Sequence, residues 1–166
     1  MISRRRLPRE KVLQALYAHE ISQDPFDHLV VTILDGLESN SEILEFAKKL
    51  LSSVIENYTA IDSRIKLKVD NWDFSRIALI DRIILRMGIT ELMFFPDIPP
   101  KVTIDEAIEI AKKFSTDESG KFVNGVLNAV LDDLKREGAL HKTGRGLIGL
   151  SLPEPKLTHT AKGRRK

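Results

Sequence analysis

Five basic residues crowd the first eleven positions: Arg4, Arg5, Arg6, Arg9 and Lys11. A guanidinium is planar and always charged, so it forks onto phosphate and stacks on bases. Arg5 and Arg9 share a face if the first helix reaches back that far. Lys101 precedes one helical stretch and Lys121 opens another. Helix N-termini offer free N–H groups and partial positive charge to a phosphate. The Ser119-Gly120-Lys121 start reads equally well as an ordinary solvated turn. Tyr17 and Phe122 sit on patterned helix faces and read first as core. Asp81, Arg82 and Arg86 interrupt an apolar helix, where the plain expectation is an exposed stripe.

Catalytic chemistry finds no support. His19, His28, His141 and His159 lack the His-Glu-x-x-His spacing. Asp105, Glu106 and Glu109 read as capping and solvated charges. No Gly-rich phosphate loop occurs. The chain has no cysteine, which excludes disulfides, thiolate metal sites and a thiol nucleophile. No catalytic residue, metal ligand or cofactor is expected, and binding is the chemistry left.

The charge is unevenly spread. The net +2 hides +4 over residues 1–11 and +6 over 139–166, leaving −8 on the rest. An acidic body with two basic ends suits a polyanion, because each neutralised phosphate releases counterions. Basic ends also aid solubility, and that reading stays open for the second one. No apolar run is long enough to cross a membrane, and no apolar segment follows the basic start. A cytoplasmic protein without membrane contact is expected.

The elements that would position these residues are helical. Pro8 suits a first helical turn, followed by Val12, Leu13, Leu16, Tyr17 and Ile21 at helical spacing. Residues 26–37 repeat the pattern after Asp24-Pro25. Ser41 reads as the cap of a long helix that bends near Thr59 and runs on to Val69. Ser75 reads as the cap of a helix over 76–94, apolar on nearly all sides and therefore central in its bundle. Pro96, Pro99 and Pro100 enforce an extended crossover. Thr103 and Glu106 form a capping-box pattern, and the last helix starts near Ser119. Gly125 lies inside it, which close helix approach would explain. From Gly138 the periodicity is lost. Residues 138–166 read as a basic, disordered tail, although Leu147 to Leu152 could dock.

The blocks "RRRLPREKVLQALY" and "PPKVTIDEAIEIAKKF…KFVNGVL" resemble the NusB family of bacterial transcription antitermination factors. The resemblance covers roughly residues 4 to 135. It implies an RNA-binding arm at Arg4, Arg5, Arg6 and Arg9, with Leu7-Pro8 departing from the usual arm. It places Gln14, Tyr17 and Phe122 close to RNA, where aromatic rings can stack unpaired bases. It gives an acidic residue at Glu118 that caps a helix and tempers RNA affinity. It assigns the region of Asp81, Arg82 and Arg86 to a small-subunit ribosomal protein, NusE in its transcription role.

The expected fold is all-α, with two helical subdomains, 8–68 and 72–137, in one unit of residues 1–137. The resemblance implies binding of boxA-type single-stranded ribosomal RNA together with the ribosomal-protein partner, within an RNA polymerase antitermination complex. Two rivals stand beside it. One is a NusB-like module of an RNA cytosine methyltransferase system, which would need a further catalytic domain. The other is a purely protein-interacting bundle, as a monomer or a homodimer, which leaves the arginine arm unexplained.

Overall fold

A computed structural model describes residues 3–37, 40–69 and 73–150 of the 166-residue chain. The regular elements among these residues are helical. They are α1 (Arg6–Ser22), α2 (Phe26–Ile33), α3 (Ser41–Glu56), α4 (Tyr58–Lys68), α5 (Leu79–Phe94), α6 (Pro100–Phe114) and α7 (Asp117–Arg136). One-turn 3-10 helices at Asp35–Leu37, Phe74–Arg76 and Gly144–Leu147 complete them.

The centre is α5. Every residue from Ile83 to Leu92 is buried, and α1, α3, α4, α6 and α7 all pack against it. Its all-round apolar sequence leaves no face for water, so other helices must supply its solvent. Leu50, Leu51, Ile61, Ile65, Leu85, Ile89 and Leu127 are fully buried around it, in one continuous cluster. The helices before and after residue 70 therefore share one core, with α1 bridging to α5.

Four helix starts differ from the expectation, each for a local reason. Asn40, not Ser41, caps α3: its side chain accepts from the N–H groups of Glu42 and Ile43. Before α5, Asp73 accepts from the Ser75 N–H and closes only a 3-10 turn. Ile77 is extended there, so α5 waits until Leu79. Pro100 opens α6 three residues ahead of Thr103, because its fixed φ suits the first helical position. Thr103 is instead buried and donates to Glu91. Thr116 caps α7 by accepting from the Ser119 N–H at 3.0 Å, which puts Glu118 and Lys121 inside the helix.

Close helix approach falls on Gly88 rather than Gly125. A Cβ on Gly88 would lie 2.9 Å from both methyls of Leu127, where α5 crosses α7, whereas one on Gly125 would meet nothing within 4 Å. Two opposite outcomes are expected from chemical denaturation. Gly88→Val should destabilise by about 1–3 kcal/mol through overpacking. Gly125→Ala should stabilise by up to ~1 kcal/mol through helix propensity.

Residues 138–150 are held against the helices at a few points, chiefly Lys142 and Gly146, while most of their side chains are exposed. Gly138, at φ 66°, ends α7 in the left-handed conformation that glycine favours. Ala139 and Leu140 pack on the core. The Lys142 ammonium then donates to the carbonyls of Glu91 and Phe95, at 3.1 and 2.8 Å. A cation on the last carbonyls of α5 complements the negative end of that helix. Burial pushes Lys142 down to about 8, against the opposing pull of Glu91 and Asp97. The Thr143 N–H donates to Pro96 O at 2.9 Å. These residues form a strap over the α5–α6 crossover. The rest of the expected tail, 151–166, lies outside the described residues.

Candidate nucleic-acid interface

The arginine arm divides by burial. Arg4 is exposed and Arg5 half-buried, just before α1. Arg5 lies over the Phe46 ring, 4.5 Å from its centroid, and pairs with Asp97 at 3.3 Å. Phe46 is in turn edge-on to Phe95. The arm is thus seated on α3 and on the end of α5. Arg6 pairs with Glu106 of α6.

Arg9 is placed differently from the expectation. It is 2% exposed, and its guanidinium donates to both Glu91 oxygens at 2.8 and 2.7 Å. Burial works against the charge, but Glu91 outweighs it and raises the pKa further. Arg9 positions the arm from inside and has no surface to give a ligand. Its Nη1 is buried without a hydrogen-bond partner among the described residues.

The pairings also fix how α1 lies. Arg6 meets Glu106, and Glu10 accepts from Lys113 at 3.0 and 2.9 Å. The two helices therefore run in the same direction, bridged by these long side chains. Arg6, Glu10 and Tyr17 lie within a narrow stripe of α1, with Gln14 beside it. Lys113 is one residue from the end of α6, so Gln14 and Tyr17 project past that end. Gln14 is exposed and Tyr17 is 45% exposed. The core reading of Tyr17 gives way to a surface ring.

At the other end of the seam, the first turn of α6 carries Lys101. It is an exposed residue paired only with its own helix, to Asp105 at 2.8 Å. Pro100 has no N–H to satisfy, and the first-turn N–H groups of Lys101 and Val102 have no helical acceptors, as at any helix start. Lys121 does not sit at a helix start. It lies one turn into α7, exposed, and pairs with Glu118 at 3.2 Å. Phe122 beside it is partly buried against the core.

Two of the four residues expected for the protein partner, Asp81 and Arg86, are internal. Asp81 is buried and accepts from the Ser119 hydroxyl at 2.9 Å. Arg86 is 2% exposed and donates to both Asp62 oxygens at 2.7 and 3.0 Å, with the Tyr58 ring 3.9 Å away. The expected exposed stripe is therefore partly interior, with Arg86 ion-paired and Asp81 hydrogen-bonded inside the fold. Arg82 is half-buried over Phe74, and Glu118 is exposed.

A groove of about 480 Å³ opens between the arm, the start of α6 and the strap. Arg4, Arg5 and Arg145 line it, with Arg9 in its floor and Glu42 and Asp97 on its rim. Arg145 escaped the sequence reading because the strap carries no periodic signal. No group of side chains that could hold a metal ion occurs among the described residues. No helix among them is long and apolar enough to cross a membrane.

The NusB family model matches residues 6–132. A transcription antitermination protein NusB from Salinibacter ruber is 46% identical over 150 residues, covering 90% of this chain and 94% of that protein. Its counterpart from Chloroherpeton thalassium is 44% identical over 151 residues, covering 90% of this chain and 72% of that protein. Among solved structures, T. maritima NusB superposes with a TM-score of 0.73 at 38% identity, over 80% of this chain and 94% of that one. A NusB solved with NusE and double-stranded RNA superposes with a TM-score of 0.71 at 27% identity, over 80% of this chain and 99% of that one. The family model and these relatives cover most of the chain, and the chain belongs to the NusB family.

Proposed function

We propose that this chain is an RNA-binding transcription antitermination factor that seats a boxA-type single strand along the α1–α6 seam. The observation that carries the reading is the placement of Arg4, Lys101 and Tyr17. Each is exposed, and they mark the two ends of one seam. Cations and helix N–H groups gather at the start of α6, and an exposed aromatic ring at its end. Lys101 and Lys113 are separated by about 18 Å of helix, at 1.5 Å per residue. A strand lying along that seam takes its phosphates at the cationic end and stacks a base at the aromatic end. The family membership supports the same reading, since a related NusB has been solved with NusE and RNA.

In this reading Arg4, Arg5, Lys101 and Lys121 contact phosphate, while Gln14, Tyr17 and Phe122 contact bases. Arg6 and Arg9 hold the arm against α6 and α5. Glu118 tempers RNA affinity by its charge, next to Lys121. A NusE-type ribosomal protein binds the acidic body. Of the four residues expected there, Arg82 and Glu118 have surface to offer, and Asp81 and Arg86 act by holding α5. RNA then binds the protein pair more tightly than this chain alone, and linkage makes the tightening reciprocal. The assembly joins the RNA polymerase antitermination complex.

Tyr17 gives the direct test. Tyr17→Ala should weaken single-stranded RNA binding by about 1–3 kcal/mol, the usual worth of a stacked base. The melting temperature should stay unchanged, since the ring lies at the surface. Fluorescence anisotropy with a single-stranded and a duplex form of the same RNA measures it. Equal affinity of Tyr17→Ala and the unsubstituted chain for the single strand would remove the ring from the interface.

A further inference from the structure

Three arginines from distant parts of the chain meet in the groove beside the start of α6. Arg4 and Arg5 come from the arm, and Arg145 comes from the strap. Arg5 is satisfied by Asp97 and Phe46. Arg4 and Arg145 are exposed, and neither has an ion-pair partner among the described residues. The buried Nη1 of Arg9, in the groove floor, also lacks a hydrogen-bond partner among them. The positive end of α6 opens beside them.

The strap that carries Arg145 is held in place on either side of it. Lys142 pins it to the last carbonyls of α5. The Thr143 N–H pins it to Pro96, and Gly146 passes so close that a Cβ would fall 1.8 Å from the Pro96 carbonyl oxygen. Arg145 lies between these fixed points. It also lies beyond residue 132, where the match to the family model ends.

We infer that the docked strap completes a phosphate-binding site, in which Arg145 and Arg4 clamp one backbone phosphate of the bound RNA at the start of α6. The inference rests on the RNA-binding reading and adds a contact that the matched region does not contain. Two unpaired guanidiniums facing one groove repel each other when it is empty. A phosphate between them relieves that repulsion and accepts forked hydrogen bonds from both. The carboxylates of Glu42 and Asp97 at the rim oppose an anion, and Arg5 already neutralises Asp97. RNA and strap then stabilise each other: the strap stays docked longer with RNA bound.

Anisotropy titrations with a short boxA-type single strand over a range of salt test this. Three proteins are compared: the unsubstituted chain, Arg145→Ala and Gly146→Val. Arg145→Ala removes an exposed side chain, so the fold should be untouched. It should weaken binding roughly threefold to tenfold and reduce the log–log salt slope by up to about 0.7, the value for one phosphate on a single strand. Gly146→Val removes no charge but forces the strap off Pro96. It should weaken binding as much as Arg145→Ala, and the double substitution should weaken it no further. Arg145→Ala with unchanged affinity and slope overturns the inference, while the RNA-binding reading stands. An unsubstituted chain that binds no RNA overturns both.

Discussion

Replacing Glu91 by Ala should destabilise the protein by about 3–5 kcal/mol, because it strands a buried arginine without its partner. Glu91 accepts both hydrogen bonds that Arg9 donates to it, and a third from Thr103 at 3.1 Å. Both side chains are only 3% exposed. Water cannot replace the carboxylate there, and Glu106 is 3.9 Å away. The joint replacement Arg9→Met with Glu91→Leu should recover most of the loss, since a buried ion pair and a well-packed apolar pair are close in stability. Denaturant unfolding of the three variants measures both effects. A Glu91→Ala loss below about 1 kcal/mol would mean that Arg9 reaches water. The same variant should also weaken RNA binding, since Arg9 leads directly into the arm.

A second large effect is expected nearer the middle of α5. Asp62→Ala should destabilise by about 3–5 kcal/mol, because it removes both acceptors of the buried Arg86. Glu20 stands 3.9 Å from Arg86 and is already engaged by the Tyr58 hydroxyl, so it compensates poorly. Burial together with that hydrogen bond pushes the Tyr58 phenol well above its usual range. The exposed arm lies away from this cluster. RNA binding by the folded fraction of Asp62→Ala should therefore match the unsubstituted chain. A melting curve and an anisotropy titration on the same sample separate the two. Lost RNA affinity in a fully folded sample would place the Asp62–Arg86 face at the RNA surface.

These two clusters show where the sequence was legible and where it was not. The central position of α5 follows from its composition alone, since a helix apolar on all sides needs helices on all sides. The sequence places the bend between α3 and α4 near Thr59, and the structure places it at Asn57. The charged residues of α5 mislead for the same local reason. Arg86 and Asp81 look like an exposed stripe because their partners, Asp62 and Ser119, are 24 and 38 positions away. Arg9 looks like a surface arginine because Glu91 is 82 positions away. Spacing rules report neighbours on one helix and carry no information about pairs across the core.

The interface follows the same division. Arg4, Arg5 and Lys101 are visible as charges in a short sequence window, and the groove adds only their geometry. Tyr17 is ambiguous from pattern, because it follows Leu13 by one helical turn yet shares its stripe with Arg6 and Glu10, which runs past the end of α6. The strap is invisible. Lys142 binds backbone carbonyls, and Gly146 makes room for one. Backbone acceptors leave no trace in side-chain periodicity.

The central claim is that the exposed cations of the arm, the start of α6 and the strap bind RNA phosphates. A salt titration of the unsubstituted chain with a boxA-type single strand, followed by fluorescence anisotropy, tests it most directly. Four phosphates, one clamped by Arg4 and Arg145 and the others met by Arg5, Lys101 and Lys121, should give a log–log salt slope of about −3 for single-stranded RNA. A scrambled strand should show a similar slope at lower affinity, because phosphate contacts position the strand and base contacts distinguish it. A slope near zero, or no binding at low salt, would contradict the claim.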